Sequence, residues 1–329
     1  MTSLSSISPS SSPHVAEEPS QVKVRRLQAN IERAILGKAD VIKQAVVTLL
    51  ARGHLLIEDV PGVGKSTLAR CLAKSLRCSF RRIQFTSDLL PSDILGVSVY
   101  NQRTGEFEFH PGPLFANIVL ADEINRTTPK TQSCLLQAMN DGQVSIDSMT
   151  YPLPVPFMVV ATQNPMEFHG TYPLPESQMD RFTMRIRMGY PPPGEEREIV
   201  RNPSLAHAAE ELPEVLSAAE LLELQVLVEQ VKVDEALVSY LLQIISATRE
   251  SPLVELGASP RAAIQLYKVG QAMAFVEGRD YCVPDDIKAA APAVLAHRVI
   301  PRARFGADHN HGDAHRLIEE ILTSVPAPA

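Results

Sequence analysis

The sequence lacks the long apolar segments and paired cysteines that mark several classes of protein. No apolar run approaches the ~18–20 residues that a helix needs to cross a bilayer, and the N-terminus has no apolar stretch typical of a signal peptide. The four cysteines are scattered without a CxxC pair, which argues against a zinc cluster or a disulfide framework. We therefore expect a soluble, cytoplasmic protein whose thiols are reduced.

An excess of positive charge is also absent. The chain has 31 Lys and Arg residues against 38 Asp and Glu residues, a formal net charge of −7. Tight, sequence-independent binding to nucleic acid needs clustered Lys and Arg, so we do not expect nucleic acid as a partner. The length of 329 residues and an apolar content of 45% predict a mostly folded chain of about two domains.

The pattern along the chain divides it into three parts. Residues 1–21 are rich in Ser and Pro and are predicted to form a disordered tail. In residues 22–193 short apolar runs alternate with helical segments, which predicts an α/β domain with a sheet covered by helices. After three consecutive prolines, residues 194–329 contain almost no strand pattern, and we predict a smaller all-α domain.

Five candidate strands and one adjacent helix define the α/β domain. The predicted strands are His54–Glu58, Phe80–Phe85, Asn117–Asp122, Phe157–Thr162 and Thr183–Met188. Helix Ser66–Leu76 follows the first strand and has an apolar stripe at helical spacing. In the all-α domain, Ser217 with Glu220 forms a capping box, and Asp234 and Ser259 are predicted N-caps.

A glycine-rich loop between the first strand and its helix carries the strongest chemical signal. Its glycines allow backbone N–H groups to turn inward at a helix N-terminus, as polyphosphate binding requires. Lys65 would reach the β- and γ-phosphates and Ser66 would hold Mg²⁺. Asp59 stands where the full P-loop pattern has its first glycine; the alternative is a chance glycine-rich turn. The predicted nucleotide-binding residues in this loop are Pro61, Gly62, Val63, Gly64, Lys65, Ser66 and Thr67.

Polar side chains follow two later apolar strands. In the run Ile118–Glu123, Asp122 is placed to hold Mg²⁺ and Glu123 to orient and deprotonate the attacking water. Asn164 follows the next apolar strand and is placed to hydrogen-bond the γ-phosphate or the lytic water. Alone, these segments are also compatible with exposed turns after core strands.

Together these segments resemble the MoxR family of AAA+ ATPases. The resemblance rests on LLIEDVPGVGKSTLAR, ADEINRTTPKTQSCLLQAMNDGQVS, VVATQNPMEFHGTYPLPESQMDRF and GASPRA, and it covers residues 21–324. It implies a P-loop NTPase core of three αβα layers with a parallel sheet, followed by an α-helical lid domain. It also implies ATP and Mg²⁺ as ligands and a homo-oligomeric ring, expected to be a hexamer.

The resemblance assigns roles to four further residues. Arg181 looks like the arginine finger that reaches a neighbour's γ-phosphate; a salt-bridged surface arginine is the alternative. Arg261 is similar to the sensor-2 arginine, acting either on its own subunit or on a neighbour. Ile35 and Gly37 match the segment that packs on adenine, although a helix C-terminal turn explains them equally well.

Three segments remain outside this core. Val97–Phe109 and Val144–Leu153 are predicted β-hairpins that face the pore or a partner, or only pack on the core. The segment Asp308–Asp313, with His315, has metal-ligand residue types, but its Gly, Asn and Asp favour a solvated turn before the last helix.

Three functions are consistent with these features. The favoured one is a remodelling or maturation motor that hydrolyses ATP, acts on a client protein and has a partner with a von Willebrand factor A domain, as the resemblance implies. A nucleotide-gated scaffold with little turnover is the second, and a DNA-associated motor is the third. The scaffold is disfavoured by the presence of all four residues expected for hydrolysis, Lys65, Asp122, Glu123 and Arg181. The DNA motor is disfavoured by the negative net charge of the chain.

Overall fold

The computed structural model describes residues 18–147, 149–165, 170–202, 208–302 and 311–328. The strands are β1 Leu55–Glu58, β2 Phe80–Gln84, β3 Gly96–Asn101, β4 Glu106–Pro111, β5 Ile118–Asp122, β6 Gln143–Ile146, β7 Met149–Pro152, β8 Met158–Gln163, β9 Met184–Ile186, β10 Val254–Leu256 and β11 Ile300–Pro301. The helices are α1 Ser20–Glu32, α2 Ala39–Leu50, α3 Lys65–Ser75, α4 Pro91–Leu95, α5 Pro129–Asp141, α6 Glu176–Met179, α7 Pro193–Arg201, α8 Ala208–Glu211, α9 Ala218–Glu229, α10 Glu235–Glu250, α11 Pro260–Val276, α12 Pro284–Leu295 and α13 His311–Ser324.

The five predicted strands form one parallel sheet. Its order is β2-β5-β8-β1-β9, with every neighbouring pair parallel. Strands β1 and β5 are buried along their whole length, as expected of apolar strands covered on both faces. Because the strands are parallel, the segments that follow β1, β5 and β8 lie side by side at the carboxyl edge.

Helices cover both faces of the sheet, which confirms the predicted three-layer αβα architecture. Leu55 and Ile57 of β1 join a core that includes α1, α2 and α3, whereas Leu56 joins a second core with α5. This division follows from the strand geometry, since successive side chains point to opposite faces. The sheet therefore separates two apolar layers and fixes the direction of the loops at its ends.

The C-terminal domain is helical and packs on the α/β domain. The three predicted helix starts are confirmed: Ser217 and Glu220 form the capping box, and Asp234 and Ser259 accept backbone N–H groups in the first turns of α10 and α11. Apolar residues of α11 and α12, such as Leu266 and Val294, belong to the same core as Leu55. Strands β10 and β11 form a short antiparallel pair within this domain.

Two β-hairpins project from the α/β domain, as predicted. Strands β3 and β4 pair in antiparallel register, and β6 pairs with β7 in the same way. Phe109 of the first hairpin stacks on Tyr151 of the second with ring centroids 4.1 Å apart. Aromatic packing therefore joins the two hairpins.

Two predictions need correction at their boundaries. Helix α1 begins at Ser20, so the last two residues of the predicted tail are helical, and the first 17 residues lie outside the described part. Helix α13 begins at His311, so residues 311–313 belong to the last helix and not to a preceding turn. Residues 308–310 of that predicted turn lie outside the described residues.

No described helix is long and apolar enough to span a bilayer. The described residues also contain no group of three or more His, Cys, Asp or Glu side chains arranged to hold a metal ion.

Candidate nucleotide-binding site

A pocket of about 370 Å³ opens at the carboxyl edge of the sheet. It is formed where the loops after β1, β5 and β8 meet, as the parallel strand order requires. Its lining residues are Pro61, Gly62, Gly64, Lys65, Ser66, Thr67, Arg82, Asp122, Glu123 and Asn164. The tertiary structure thus brings six of the seven predicted P-loop residues, the two carboxylates and the amide to one place. The seventh, Val63, packs against the apolar core.

The P-loop has the backbone conformation that its glycines permit. Gly62 and Gly64 have φ of +86° and +96°, values that residues with a Cβ rarely adopt. Gly64 is the N-cap of α3, and Lys65 and Ser66 occupy the first turn of that helix. The positive end of the helix dipole and its first N–H groups therefore face the pocket, an arrangement suited to a phosphate group.

Asp59, the residue that departs from the full P-loop pattern, closes the start of the loop. Its carboxylate accepts the backbone N–H of Val60 at 2.8 Å and that of Gly189, beyond β9, at 2.6 Å. The Lys65 ammonium donates to the backbone carbonyls of Asp59 and Val60. Asp59 therefore ties the loop to the neighbouring strand, a function that glycine could not perform.

Asp122 is held by two side chains from neighbouring strands. The Thr162 hydroxyl on β8 donates to Asp122 Oδ1 at 2.6 Å. The Arg82 guanidinium on β2 donates to Asp122 Oδ2 from Nη2 at 2.6 Å and from Nε at 3.1 Å. Two fixed partners on opposite sides set the orientation of this carboxylate in the pocket.

Glu123 occupies a backbone conformation that is uncommon for a residue with a side chain. Its φ is +58°, and its N–H donates to the Thr162 hydroxyl at 2.9 Å. Its Oε2 accepts a hydrogen bond from Gln84 Nε2 at 2.7 Å and forms an ion pair with Arg126 Nε at 3.2 Å. Such left-handed residues persist where the surroundings over-determine them, often at active sites.

The remaining predicted residues on this side lie around the P-loop. Asn164 is buried, with 6% exposure, and lines the pocket. A Cβ at Gly64 would lie 3.9 Å from Ile35 Cδ1, so Ile35 borders the loop. Gly37 has φ of +68° and packs against Pro192 and Glu195, where α7 begins.

Arg181 and Arg261 lie away from this pocket. Thr183 donates its N–H to the His54 carbonyl at 2.8 Å, so the segment after α6 lies beside the start of β1, at the amino edge of the sheet. The Ser259 hydroxyl, at the start of α11, is 3.3 Å from both carboxylate oxygens of Asp180. Arg181 and Arg261 are therefore held at one place, on the edge opposite to the P-loop of their own chain.

Sequence reasoning missed Arg82, Gln84 and Thr162. Arg82 and Gln84 lie on edge strand β2, where β2 and β5 pair Gln84 with Asp122. The polar residues of β2, Arg81, Arg82 and Gln84, are the signal that was available, since a parallel strand buried on both faces is expected to be continuously apolar. Thr162 has no such signal, because a threonine in an apolar strand is common.

The donor set of this pocket fits Mg²⁺. Ser66 offers a hydroxyl and Asp122 a carboxylate, and both line the same cavity as the P-loop lysine. Mg²⁺ prefers oxygen ligands and is commonly bound by one or two carboxylates together with phosphate oxygens and water. Residues with the chemistry to hold phosphates and residues with the chemistry to hold Mg²⁺ thus lie together.

The sequence and the structure both resemble those of known proteins. Residues 54–184 match the ATPase family associated with various cellular activities (AAA), and residues 246–321 match the AAA lid domain. The chain is 48% identical to the protein YeaC of Bacillus subtilis, with 91% of this chain and 93% of YeaC covered. It is 42% identical to the chaperone MoxR1 of Mycobacterium tuberculosis, with 91% and 80% covered.

A solved structure shares the fold over most of the chain. A crystal structure of a protein from Cytophaga hutchinsonii superposes with a TM-score of 0.86 at 39% identity, covering 94% of this chain and 96% of the other. The nucleotide pocket, the matches to the AAA core and lid, and the identity to MoxR1 agree. The chain belongs to the MoxR family of AAA+ ATPases, and its activity is ATP hydrolysis.

Proposed function

We propose that this ATPase works as a ring in which each nucleotide site is completed by arginines of the adjacent subunit. The position of Arg181 carries the proposal. Met184 is aligned with Leu55, at the start of β1, and Arg181 lies three residues before Met184. The P-loop begins after Glu58, at the other end of β1. The length of β1 alone therefore separates Arg181 from the P-loop of the same chain by roughly 10 Å, at ~3.3 Å per residue.

Within one subunit, the pocket residues divide the tasks of binding. The N–H groups of the P-loop and the Lys65 ammonium bind the phosphates of ATP. Ser66 and Asp122 hold Mg²⁺, which neutralises charge on the phosphate oxygens when it is bound. Ile35, which borders the P-loop, and Gly37, two residues further along the chain, contribute to the adenine side of the site.

Hydrolysis needs a water molecule that is oriented and deprotonated. Glu123 is the acceptor of the water's proton, and Asn164 lies in the same pocket to hydrogen-bond the γ-phosphate or that water. Gln84 and Arg126 bond to Glu123 Oε2 and set the direction of the carboxylate. The arginines nearest these carboxylates are already engaged, Arg82 with Asp122 and Arg126 with Glu123. The charge that develops on the γ-phosphate is therefore left to Lys65 and the metal ion within one subunit.

The adjacent subunit supplies the missing cation. Arg181 acts in trans as the arginine finger, a contribution of ~10³–10⁵-fold in rate in other phosphoryl-transfer systems. Arg261 is exposed and lies in the first turn of α11, whose N-cap Ser259 contacts Asp180. We assign Arg261 to the same neighbouring site, where it would act in trans.

ATP turnover as a function of protein concentration tests this proposal, with light scattering to measure assembly. We expect turnover per subunit to rise as rings form and to fall at least about 100-fold in Arg181→Ala. Arg77→Ala is the matched control, because Arg77 is 75% exposed in a surface ion pair with Glu214. Glu123→Gln should bind ATP and lose turnover, whereas Lys65→Ala should bind ATP weakly.

Mixed rings separate a trans contribution from a general loss of structure. Arg181→Ala keeps an intact Glu123, and Glu123→Gln keeps an intact finger, so mixing the two inactive proteins should restore turnover. Turnover that is independent of concentration and unchanged in Arg181→Ala would refute the shared site. Failure of the mixture to regain activity, with rings present, would refute the assignment to the neighbour.

The ring is proposed to remodel or mature a client protein together with a partner that contains a von Willebrand factor A domain. Family membership supports this choice, and the joined hairpins offer a contact surface. The side chain of Phe107 at the end of the first hairpin is 74% exposed and lies 5.3 Å from the ring of Tyr100. Exposed aromatic residues of this kind are enriched in protein interfaces.

Stimulation of turnover by the partner tests this part. A purified von Willebrand factor A domain protein from the same organism should raise ATP turnover of the wild-type ring, and Phe107→Ser should reduce that stimulation. Val200→Ser is the matched control, since Val200 on α7 is 75% exposed. Equal stimulation of Phe107→Ser and wild type would remove the hairpin from the proposal.

A further inference from the structure

The segment that carries Arg181 is hydrogen-bonded by one buried arginine of the C-terminal domain, Arg298. Arg298 follows α12, and its side chain is 1% exposed. Its guanidinium donates to the carboxylate of Asp180 at 2.7 Å. It also donates to three backbone carbonyls, those of Asp180 at 3.1 Å, Phe182 at 2.5 Å and Thr183 at 3.2 Å. It also bonds to the Val294 carbonyl within its own domain. The residues on both sides of Arg181 are therefore fixed by one side chain.

Neighbouring contacts tighten the same segment. His297 Nε2 bonds to the Phe182 carbonyl at 3.0 Å, and Phe182 itself is fully buried. Ser259 contacts the Asp180 carboxylate from a second helix of the C-terminal domain. Two separate parts of that domain thus hold the backbone around Arg181.

The Arg298 guanidinium remains charged at neutral pH. Burial lowers its pKa to about 10, against which the hydrogen bond and the charge of Asp180 act. A buried guanidinium is costly unless its donors are satisfied, and four acceptors lie in or beside the segment 180–183. The charge and the planar shape of Arg298 are matched to that segment.

Arg181 is not held by hydrogen bonds of its own in the same way. Within the described part of the chain, its Nε and Nη1 atoms are buried and have no hydrogen-bond partner. The position of its guanidinium is therefore set by packing and by the backbone between Asp180 and Phe182. A shift of that backbone would move the guanidinium relative to a phosphate on the adjacent subunit.

We infer that Arg298 is a positioning residue for the arginine finger, through which the C-terminal domain sets where Arg181 is presented to the neighbouring site. The inference rests on the proposed trans role of Arg181. It gives the C-terminal domain a direct effect on the adjacent subunit's hydrolysis and not on ATP binding in its own pocket. Loss of Arg298 should consequently affect kcat and leave the KM for ATP nearly unchanged.

Arg298→Lys is the test variant. Lysine keeps the charge but carries its donors on one nitrogen, so it cannot span the carboxylate and the three carbonyls. We expect kcat to fall at least about tenfold with KM within about twofold, since small displacements of positioned groups cost about 100-fold in rate. Arg279→Lys is the matched control: Arg279 makes a paired contact with Asp286 at 2.6 and 2.7 Å in the same domain, away from Arg181.

Mixed rings provide a readout that a merely structural defect would not change. In an excess of Glu123→Gln subunits, each Arg298→Lys site has a neighbour with an intact finger, and turnover per Arg298→Lys subunit should return to near the wild-type value. Recovery in the Arg181→Ala mixture but not in the Arg298→Lys mixture would overturn this inference and leave the proposed function standing. Recovery in neither mixture would overturn both.

A second variant keeps the inference testable if the first does not fold. If Arg298→Lys does not fold, as judged by its thermal melting and its light scattering, Asp180→Asn weakens the same contact from the other side. The expected results are the same fall in kcat and the same recovery in mixed rings. An equal fall in kcat for Arg279→Lys, or a normal kcat for a folded Asp180→Asn that has lost the contact, would refute the positioning role.

Discussion

Thr162 connects the carboxylate of Asp122 with the backbone of Glu123 through one hydroxyl. It is fully buried, donates to Asp122 Oδ1 at 2.6 Å and accepts the N–H of Glu123 at 2.9 Å. Thr162→Val keeps the shape of the side chain and removes both bonds. We expect this substitution to lower both the stability of the fold and the rate of ATP hydrolysis.

The size of each effect follows from the bonds that are lost. A hydrogen bond to a charged group is worth about 1.5–3 kcal/mol, and a buried N–H without a partner costs about 1–3 kcal/mol. Because Arg82 still holds Asp122 and water can reach the half-buried Glu123, we expect a loss of about 2–4 kcal/mol in the free energy of unfolding. If the carboxylates move, the loss of one charged hydrogen bond corresponds to roughly a 10- to 100-fold fall in kcat, at tenfold per 1.36 kcal/mol.

Thr248 is a matched control in the C-terminal domain. It is also fully buried, and it donates to the Ile245 carbonyl at 2.6 Å and accepts the N–H of Ala258 at 3.0 Å. Thr248→Val should lose about 1–3 kcal/mol of stability, by the same loss of one donated and one accepted bond. It should retain normal turnover per folded subunit, because neither partner belongs to the nucleotide site.

Urea unfolding and steady-state ATP hydrolysis, measured on both variants, decide the outcome. Turnover is to be compared at a urea concentration and temperature where each protein is fully folded. A wild-type kcat in Thr162→Val would show that the hydroxyl does not position the carboxylates. An equal fall in kcat for both variants would show that turnover follows stability alone.

Two further predictions concern buried charge and pH. Glu58→Gln removes the carboxylate that is paired at 3.4 Å with the buried Arg185, and urea unfolding should show a loss of ~3 kcal/mol in stability. Adding Arg185→Met should recover part of that loss. Additive effects of the two substitutions would contradict the pairing. Burial lowers the pKa of His54 from 6.5 to about 4. As the pH falls, His54 therefore takes up a proton in the unfolded chain before it does so in the folded protein. The free energy of unfolding should consequently fall by ~3 kcal/mol between pH 6.5 and pH 4. His54→Gln should reduce this slope, and an unchanged slope would refute the assignment.

The pattern of the chain was sufficient to predict the sheet and the P-loop because both are local. Each strand of the sheet is a short apolar run, and its direction follows from the strand–helix alternation. The P-loop lies within seven consecutive residues between a strand and a helix, and its glycines have the positive φ values that the motif requires. The caps at Ser217, Asp234 and Ser259 are likewise local signals.

The contacts that organise the site join residues far apart in sequence, and they were not predicted. Arg82 bonds to Asp122 across 40 residues, and Arg298 bonds to Asp180 across 118 residues. A long polar side chain is compatible with many surroundings, and a sequence pattern records only its face or its place in an element. The folded structure alone selects the partner.

The sequence by itself determined the class of fold, the phosphate-binding loop and the two carboxylates, because local geometry and chemistry specify these features. Only the tertiary structure decided that the P-loop and Arg181 lie at opposite edges of one sheet. The reason is the parallel pairing of β9 with β1, which aligns Met184 with Leu55 and places the segment before β9 at the amino edge. The distance between the P-loop and Arg181 within one chain is therefore a property of strand order, which no single motif contains.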